Sequence, residues 1–366
     1  MGQGSGRIVA GLDVHKRSTR IAAVQGDRLV REVTVASDAE IVQAALLRLG
    51  VAACCYEAGP TGYGLYRHLN AHGVRCEVIA PGLVWRQPGD RIKTDPRDAR
   101  RLAAQYQGGM LRAIHVLSPE QEALRDLVRA REDARHDRMR ARGRLGKFLL
   151  RQAREMPTQS WSIQRRTWLG QQVFAEPAAQ AAFDDYLTSV DLVDRRIDAL
   201  ERGLAEQALE GPYAELVARL RCLRGIDTLS AVGLAAEIGD FGRFASAEEF
   251  MSFVGLVPSE HSSGAKRTQG SITKAGNAHA RRLLLVEAAW NHRRRPGASY
   301  TIQRRRRDQH PLTVARALRA EQRLYKRWSR LRSRGKDERT IVVAIARELA
   351  GFVWATATDQ PLQPTL

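Results

Sequence analysis

The chain has 366 residues, is 43% hydrophobic and carries a net charge of +19, from 59 Lys and Arg against 40 Asp and Glu. That length supports two or three domains with cores of their own, and the hydrophobic share excludes a disordered chain. No apolar stretch reaches the ~18 residues of a membrane span, and MGQGSGRIVAGLDV lacks the apolar segment of a signal peptide, so a cytoplasmic protein with no membrane partner is expected. A charge this positive, dominated by arginine, points to a polyanion held by bidentate guanidinium–phosphate contacts. Cys54, Cys55, Cys76 and Cys222 have no metal-ligand spacing and read as reduced, buried thiols.

Residues 7–115 alternate strand and helix patterns. Ile8 to Val14 is a β-rich apolar run, and Arg20 to Gln25 and Arg28 to Val35 flank a Gly26-Asp27 turn signal. Ala39 to Leu49 predicts a helix capped by Ser37 or Asp38, and Ala52 to Tyr56 a second buried strand. Pro60 to His72 predicts a helix ending at Gly73, followed by a strand over Val74 to Ala80. After a Gly-, Pro- and Arg-rich loop at 81–94, Asp95 to Gln107 predicts a helix and Arg112 to Val116 a last short strand. The order β-β-β-α-β-α-β-α is that of a ribonuclease-H-like mixed sheet, with Asp13 ending the central strand and Glu57 its neighbour.

From Ser118, an N-cap before Pro-Glu-Gln, helical periodicity runs through Leu124, Val128, Leu145 and Leu149. A break at 157–168 precedes a second long helix over 177–209, so 118–212 reads as a helical hairpin or coiled-coil arm. The segment 213–366 reads as a mostly helical third domain. Its Leu223-Arg-Gly-Ile-Asp-Thr-Leu-Ser is either a helix-hairpin-helix turn that holds a backbone phosphate or an ordinary helix start capped by Asp227 or Thr228. Phe250 to Val257 is apolar, a loop carries His261-Ser-Ser-Gly-Ala-Lys-Arg, and a helix spans Ala278 to His292. Residues 265–340 hold 22 Lys and Arg against 5 Asp and Glu, so +17 of the +19 falls there. Solvated faces usually mix signs, so this segment reads as nucleic-acid contact, and Thr340 to Ala357 as an apolar helix packed back on the domain.

Asp13 in GLDVHK, Glu57 in CYEAGPTGYGLY, and Asp95 and Asp98 in KTDPRDARRLA bring carboxylates to element ends from three separate pieces of chain. A carboxylate after a buried strand must be paired, hydrogen-bonded or metal-bound, and Asp95 and Asp98 share one helix face at i, i+3. Taken alone, Asp95 and Asp98 at a helix N-terminus read as caps or helix-dipole partners, and Glu57 is ambiguous, whereas Asp13 after a buried strand is more telling. Together, in a basic chain, they predict a Mg²⁺ site, with two ions, for phosphodiester chemistry. Lys16 stands near this set to meet phosphate. The Ser262-Ser263 hydroxyls beside Lys266 and Arg267 could supply a nucleophile, or merely a phosphate contact.

These motifs resemble those of the DEDD-type insertion-sequence transposases, described as bridge-RNA-guided serine recombinases, and the match runs nearly end to end. GLDVHK, YEAGPTGYGLYRHL and KTDPRDARRLA are similar to the family's RuvC-like domain. LRGIDTLSAVGLAAEIGDFGRF and FVGLVPSEHSSGAKRTQGSITKAGNAHARRLL are similar to its transposase domain. The resemblance implies an N-terminal RuvC-like domain over 1–117, the helical arm over 118–212 and a serine transposase domain with a basic tail over 213–366. It implies metal binding by Asp13, Glu57, Asp95 and Asp98, and attack by Ser263, with Ser262 as the fallback. It also implies a bacterial, nucleoid-associated dimer to tetramer that cuts and rejoins double-stranded DNA, guided by a noncoding RNA encoded by the element. Lys16, Lys266, Arg267, Lys274, Arg281, Arg282, Arg293, Arg294 and Arg295 are the expected nucleic-acid contacts. The chain reads SSGAK where many relatives read SSGGK, and its Arg-rich stretch over 293–340 is longer. Two other functions remain open on the residues alone: a hydrolytic, junction-resolving nuclease using the carboxylates and water, and a non-enzymatic nucleic-acid-binding protein.

Overall fold

The computed structural model describes residues 6–85, 95–158, 160–263, 266–297 and 299–360. The chain forms two compact units, Met1–Leu117 and Ser118–Leu366. The segments 118–212 and 213–366 thus fall within one unit, because the two long helices share a core with the shorter helices that come after them in the chain.

The first unit is a five-stranded mixed sheet in the order β3-β2-β1-β4-β5. Its strands are β1 (Val9–Val14), β2 (Ser18–Gln25), β3 (Arg28–Ala36), β4 (Ala53–Glu57) and β5 (Arg75–Ile79). The meander β1–β2–β3 is antiparallel, and β4 and β5 join parallel to β1, as the sequence order predicts. Helices α1 (Ala39–Arg48), α2 (Gly64–Ala71) and α3 (Asp95–Gln107) cover it. Period two sorts the strands into faces. Ala10, Leu12, Cys54 and Tyr56 join the core that includes Val42, Leu46 and Leu69 of α1 and α2. Cys55 and Ile79 pack with Leu102 of α3 on the other face. Asp38 caps α1 by accepting from the Glu40 and Ile41 amides, while the Ser37 hydroxyl is spent on the His15 carbonyl.

Two elements differ from the sequence reading. The second helix starts at Gly64 rather than Pro60, because Gly62 turns at φ +72. The last strand shrinks to a single antiparallel bridge between Ala113 and Ile79.

The second unit opens with α4 (Pro119–Arg151), whose Ser118 and Gln121 form a reciprocal capping box. Helix α5 (Ile163–Gly170) fills the break, and α6 (Pro177–Glu210) packs along α4 through Phe148, Phe174, Phe183 and Val190. Then come α7 (Ala214–Leu220), α8 (Thr228–Ile238), α9 (Ala247–Phe253) and the hairpin β6 (Pro258–Ser263) and β7 (Lys266–Ile272). The expected helix over 278–292 is instead a π-helical segment Ala280–Val286, a short α10 (Glu287–Ala289) and a 3-10 turn Trp290–Arg293. Helices α11 (Tyr300–Arg306), α12 (Pro311–Ser333) and α13 (Glu338–Thr358) close the unit.

Helix α13 is long and apolar enough to cross a membrane, which the sequence reading had not expected of any segment. Here 67% of its apolar window is buried, with Ile341, Ile345, Leu349 and Val353 in the core, so packing explains its composition. All four cysteines are free and buried, as expected. Burial pushes the Cys55 thiol far above its ordinary range, so it stays protonated.

Candidate active site

Asp13 and Glu57 reach one place by register. β1 and β4 pair parallel with Gly11 beside Cys55 and Leu12 beside Tyr56, so the next step sets Asp13 beside Glu57 on the α3 face. Gly11 brings in the third piece. A Cβ there would stand 2.3 Å from the Ala99 carbonyl oxygen and 2.5 Å from the Ala103 nitrogen. Only glycine lets the α3 backbone lie directly on the central strand. An ion pair from Arg100 to Glu32 of β3, at 2.5 Å, ties α3 to the meander, and Arg20 reaches the same carboxylate at 3.1 Å.

The result is a cleft of about 800 Å³ lined by Asp13, Glu57 and Asp98, with His15, Lys16 and Leu102. Of the four expected ligands, the structure gathers these three; the Asp95 side chain lies outside the described residues. Asp13 Oδ2 is 3.2 Å from His15 Nε2, and Asp98 is 3.5 Å from Arg101. The rim is held by two ties. Thr19 donates to Ser37 at 2.7 Å and Ser37 to the His15 carbonyl at 2.7 Å, which fixes the turn after Asp13. The Tyr56 hydroxyl donates to the Gly62 carbonyl at 3.2 Å, which fixes the loop after Glu57. Lys16 is exposed at the mouth.

Among the described residues no three His, Cys, Asp or Glu side chains converge tightly enough to hold a metal by themselves. The donor chemistry nevertheless suits Mg²⁺, a hard cation that takes one or two carboxylates and completes its octahedron with water and phosphate oxygens.

The serine motif lies in the second unit, and not in a loop. Ser262 and Ser263 end β6 and pair with Arg267 and Lys266 at the tip of the β6–β7 hairpin. The side chains of these four residues lie outside the described part. The polar strands lack the apolar alternation that would have marked them in the sequence.

The hairpin's base is tightly anchored. The Lys274 amide donates to the Gly255 carbonyl, and Arg281 donates to the Val254 and Ala275 carbonyls at 3.0 and 2.9 Å. Arg281, one of the expected nucleic-acid contacts, thus spends its Nη1 on the backbone while the residue stays half-exposed. Gly276, at φ +66, would drive a Cβ to 1.8 Å from the Phe253 carbonyl. Glu237 of α8, which the sequence reading missed, joins this anchor: it accepts two bonds from Arg129 of α4 and one from Asn277 at 2.7 Å. Burial by itself would raise its carboxyl, but those bonds outweigh it and hold the group below its usual range. Lys274, Arg282, Arg293, Arg294 and Arg295 are exposed.

The proposed helix-hairpin-helix turn resolves as a helix start. Asp227 caps α8 by accepting from the Ser230 amide, and Gly225, at φ +88, packs on the Ala288 backbone. The chain itself covers the glycine that would have met a phosphate.

A mixed sheet gathering carboxylates, joined to a helical unit with a serine hairpin, defines a class of nucleic-acid-processing enzyme. Comparisons with known proteins give the family. A DEDD transposase model matches residues 10–153, and the model described as "Transposase IS116/IS110/IS902 family" matches residues 217–302. The first span contains the four carboxylates and the second the Ser-Ser pair. The y4qE protein of Sinorhizobium fredii, which carries a transposase name, is 41% identical over 83% of this chain and 75% of its own length. The transposase for insertion sequence element IS1533 of Leptospira borgpetersenii is 35% identical over 90% of this chain and 98% of its own. The transposase for element IS1328 of Yersinia enterocolitica is 27% identical over 60% and 64%. The chain belongs to the IS110/IS116 family of DEDD insertion-sequence transposases and is a DNA transposase.

Proposed function

We propose that the cleft of the first unit is a RuvC-like phosphodiester-cleaving centre, and that strand transfer runs through a phosphoserine on Ser263. The observation that carries the reading is the convergence of Asp13, Glu57 and Asp98 on one cleft. Asp13 and Glu57, on adjacent strand ends, and Asp95 and Asp98, one turn apart on α3, would hold Mg²⁺. When bound, Mg²⁺ neutralises charge developing on the scissile phosphate and its leaving oxygen. Lys16 at the mouth would meet the DNA backbone.

The Ser263 oxygen forms a bond to phosphorus as the bond to a deoxyribose oxygen breaks. The serine proton leaves to a base and the deoxyribose oxygen takes one up. A second strand's hydroxyl then attacks the phosphoserine, remaking a phosphodiester and freeing Ser263, so no external energy is needed. Lys266 and Arg267, in backbone register with the two serines across the hairpin, would balance phosphate charge. Ser262 is the alternative nucleophile. The guide RNA, the dimer-to-tetramer assembly and the pairing of carboxylates from one subunit with serine from another rest on the family resemblance.

The test is a denaturing gel of the full chain with the element's end RNA, Mg²⁺ and labelled donor and target DNA. A protein–DNA adduct that disappears in Ser263→Ala supports the phosphoserine. Cleaved ends without adduct, unchanged in Ser263→Ala, assign the chain to water-using nucleases instead. Asp13→Asn should abolish cleavage while RNA binding persists; full recombination by that variant removes the metal-site reading.

A further inference from the structure

The Arg304-Arg-Arg-Arg run does not act as one patch. Arg306 is buried, donates twice to the Cys222 carbonyl at 3.0 and 2.7 Å, and pairs with Glu321 of α12 at 2.5 Å. That clamp seats α11 on the turn after α7. It turns Arg304 and Arg305 toward Arg221 around a cleft of about 370 Å³, also lined by Tyr300, Thr301 and Gln309.

Three features set this cleft apart from a solvated basic face. Among the described residues its lining holds no acid. The Nε atoms of Arg221 and Arg305 are buried without a hydrogen-bond partner. Burial, and then the neighbouring Arg305 and Arg304 charges, pull the Arg221 guanidinium below its usual range, with Asp227 offsetting only part. Like charges packed this closely and only partly offset are costly unless an anion joins them. Beside them Tyr300 is 73% exposed and lines the same cleft, leaving an aromatic side chain uncovered next to the arginines.

We infer that this cleft binds a single-stranded nucleic-acid segment, with a phosphate among Arg221, Arg304 and Arg305 and the adjoining base stacked on Tyr300. The Arg221 and Arg304 guanidiniums can meet phosphate oxygens, with Arg305, whose Nη1 donates to the Ile226 carbonyl at 3.2 Å, adding charge beside them, and a base can offer its face to Tyr300 only where it is not stacked in a duplex. The Gln309 amide adds a donor and an acceptor for a base edge. The inference rests on the nucleic-acid reading above, but not on the carboxylate cleft. An RNA strand and an unpaired DNA strand share this chemistry.

The test uses the full chain with fluorescent single-stranded RNA, single-stranded DNA and duplex DNA of one sequence, titrated over a salt series. Arg221→Gln/Arg304→Gln should weaken single-strand binding about tenfold or more and flatten its log–log salt slope by about 0.7, one phosphate's worth. Tyr300→Ala should weaken it several-fold without moving the slope, and Tyr300→Phe should restore it. A strand carrying 5-iodouracil should photocross-link to Tyr300. Loss confined to RNA names RNA as the occupant, loss confined to single-stranded DNA names an unpaired DNA strand, and loss in both shows the shared site. Unchanged single-strand affinity, or an equal loss for duplex, overturns the inference. Asp13→Asn, run alongside, should lose cleavage while single-stranded RNA binding persists, so failure of this site and failure of the carboxylate centre are separable.

Discussion

Gly11→Ala tests how the cleft is assembled. The added Cβ would stand 2.3 Å from the Ala99 oxygen and 2.5 Å from the Ala103 nitrogen, both backbone atoms of α3, where ordinary contact begins near 3.4 Å. Neither a rotamer change nor a flexible tip can relieve this, so α3 must retreat by roughly 1 Å from a close-packed seat. Overpacking of that kind costs about 1–3 kcal/mol, which should lower the melting temperature of the first unit by roughly 5–15 °C. Asp98 moves with the helix, and a misplacement near 1 Å lowers cleavage about 100-fold. The assays are thermal melting by circular dichroism and single-turnover strand cleavage, with Gly143→Ala as control. Gly143 lies mid-helix in α4 with open space around its Cβ position, so alanine there should stabilise by about 0.5–1 kcal/mol. A Gly11→Ala chain that melts within about 2 °C of the parent and cleaves at the parent rate would refute the reasoning.

Arg129→Ala leaves the Glu237 carboxylate, 1% exposed, with only Asn277 and a longer approach from His279, and should destabilise the second unit by about 2–3 kcal/mol in urea unfolding. The folded carboxyl lies below its ordinary value of 4.5, so its stabilisation is full above that pH and fades as pH falls through the folded value; a Glu237→Gln chain should lose this acid limb. His292 is 1% exposed, and burial, with the Arg224 charge beside it, pushes its ring down to about 4. The unfolded chain therefore takes up a proton first, and stability should fall by about 3 kcal/mol between pH 6.5 and 4, a loss that His292→Leu removes in pH-dependent melting. Glu321→Ala strands the buried Arg306 guanidinium and should cost about 3–5 kcal/mol, read as a lower urea midpoint.

Much of the first unit was legible because its signals are local. The Gly26-Asp27 turn, a helix cap at Ser37 or Asp38 and the apolar strands each depend on neighbours a few residues away, and the meander-then-crossover order allows few sheets. The placing of Asp13 and Glu57 follows from period two once that order is known. The β6–β7 hairpin was not legible, because Pro258–Ser263 and Lys266–Ile272 are polar strands whose pairing is decided by their anchored base. The Arg-rich run misled in part: Arg306 looks like its neighbours in sequence, yet it is buried and neutralises Glu321.

By itself the sequence determined the alternation of strands and helices, the acidic residues at element ends, the four buried thiols and the basic balance, since all of these are set by residue type and short-range spacing. Only the tertiary structure decided that Gly11 is the seat of α3, that Glu237 is held by Arg129 and Asn277, and which arginines are spent inside the protein. Those outcomes depend on atoms distant in the chain meeting at contact distance, where a single methyl group or one unpaired charge costs as much as a large share of the stability of the whole fold.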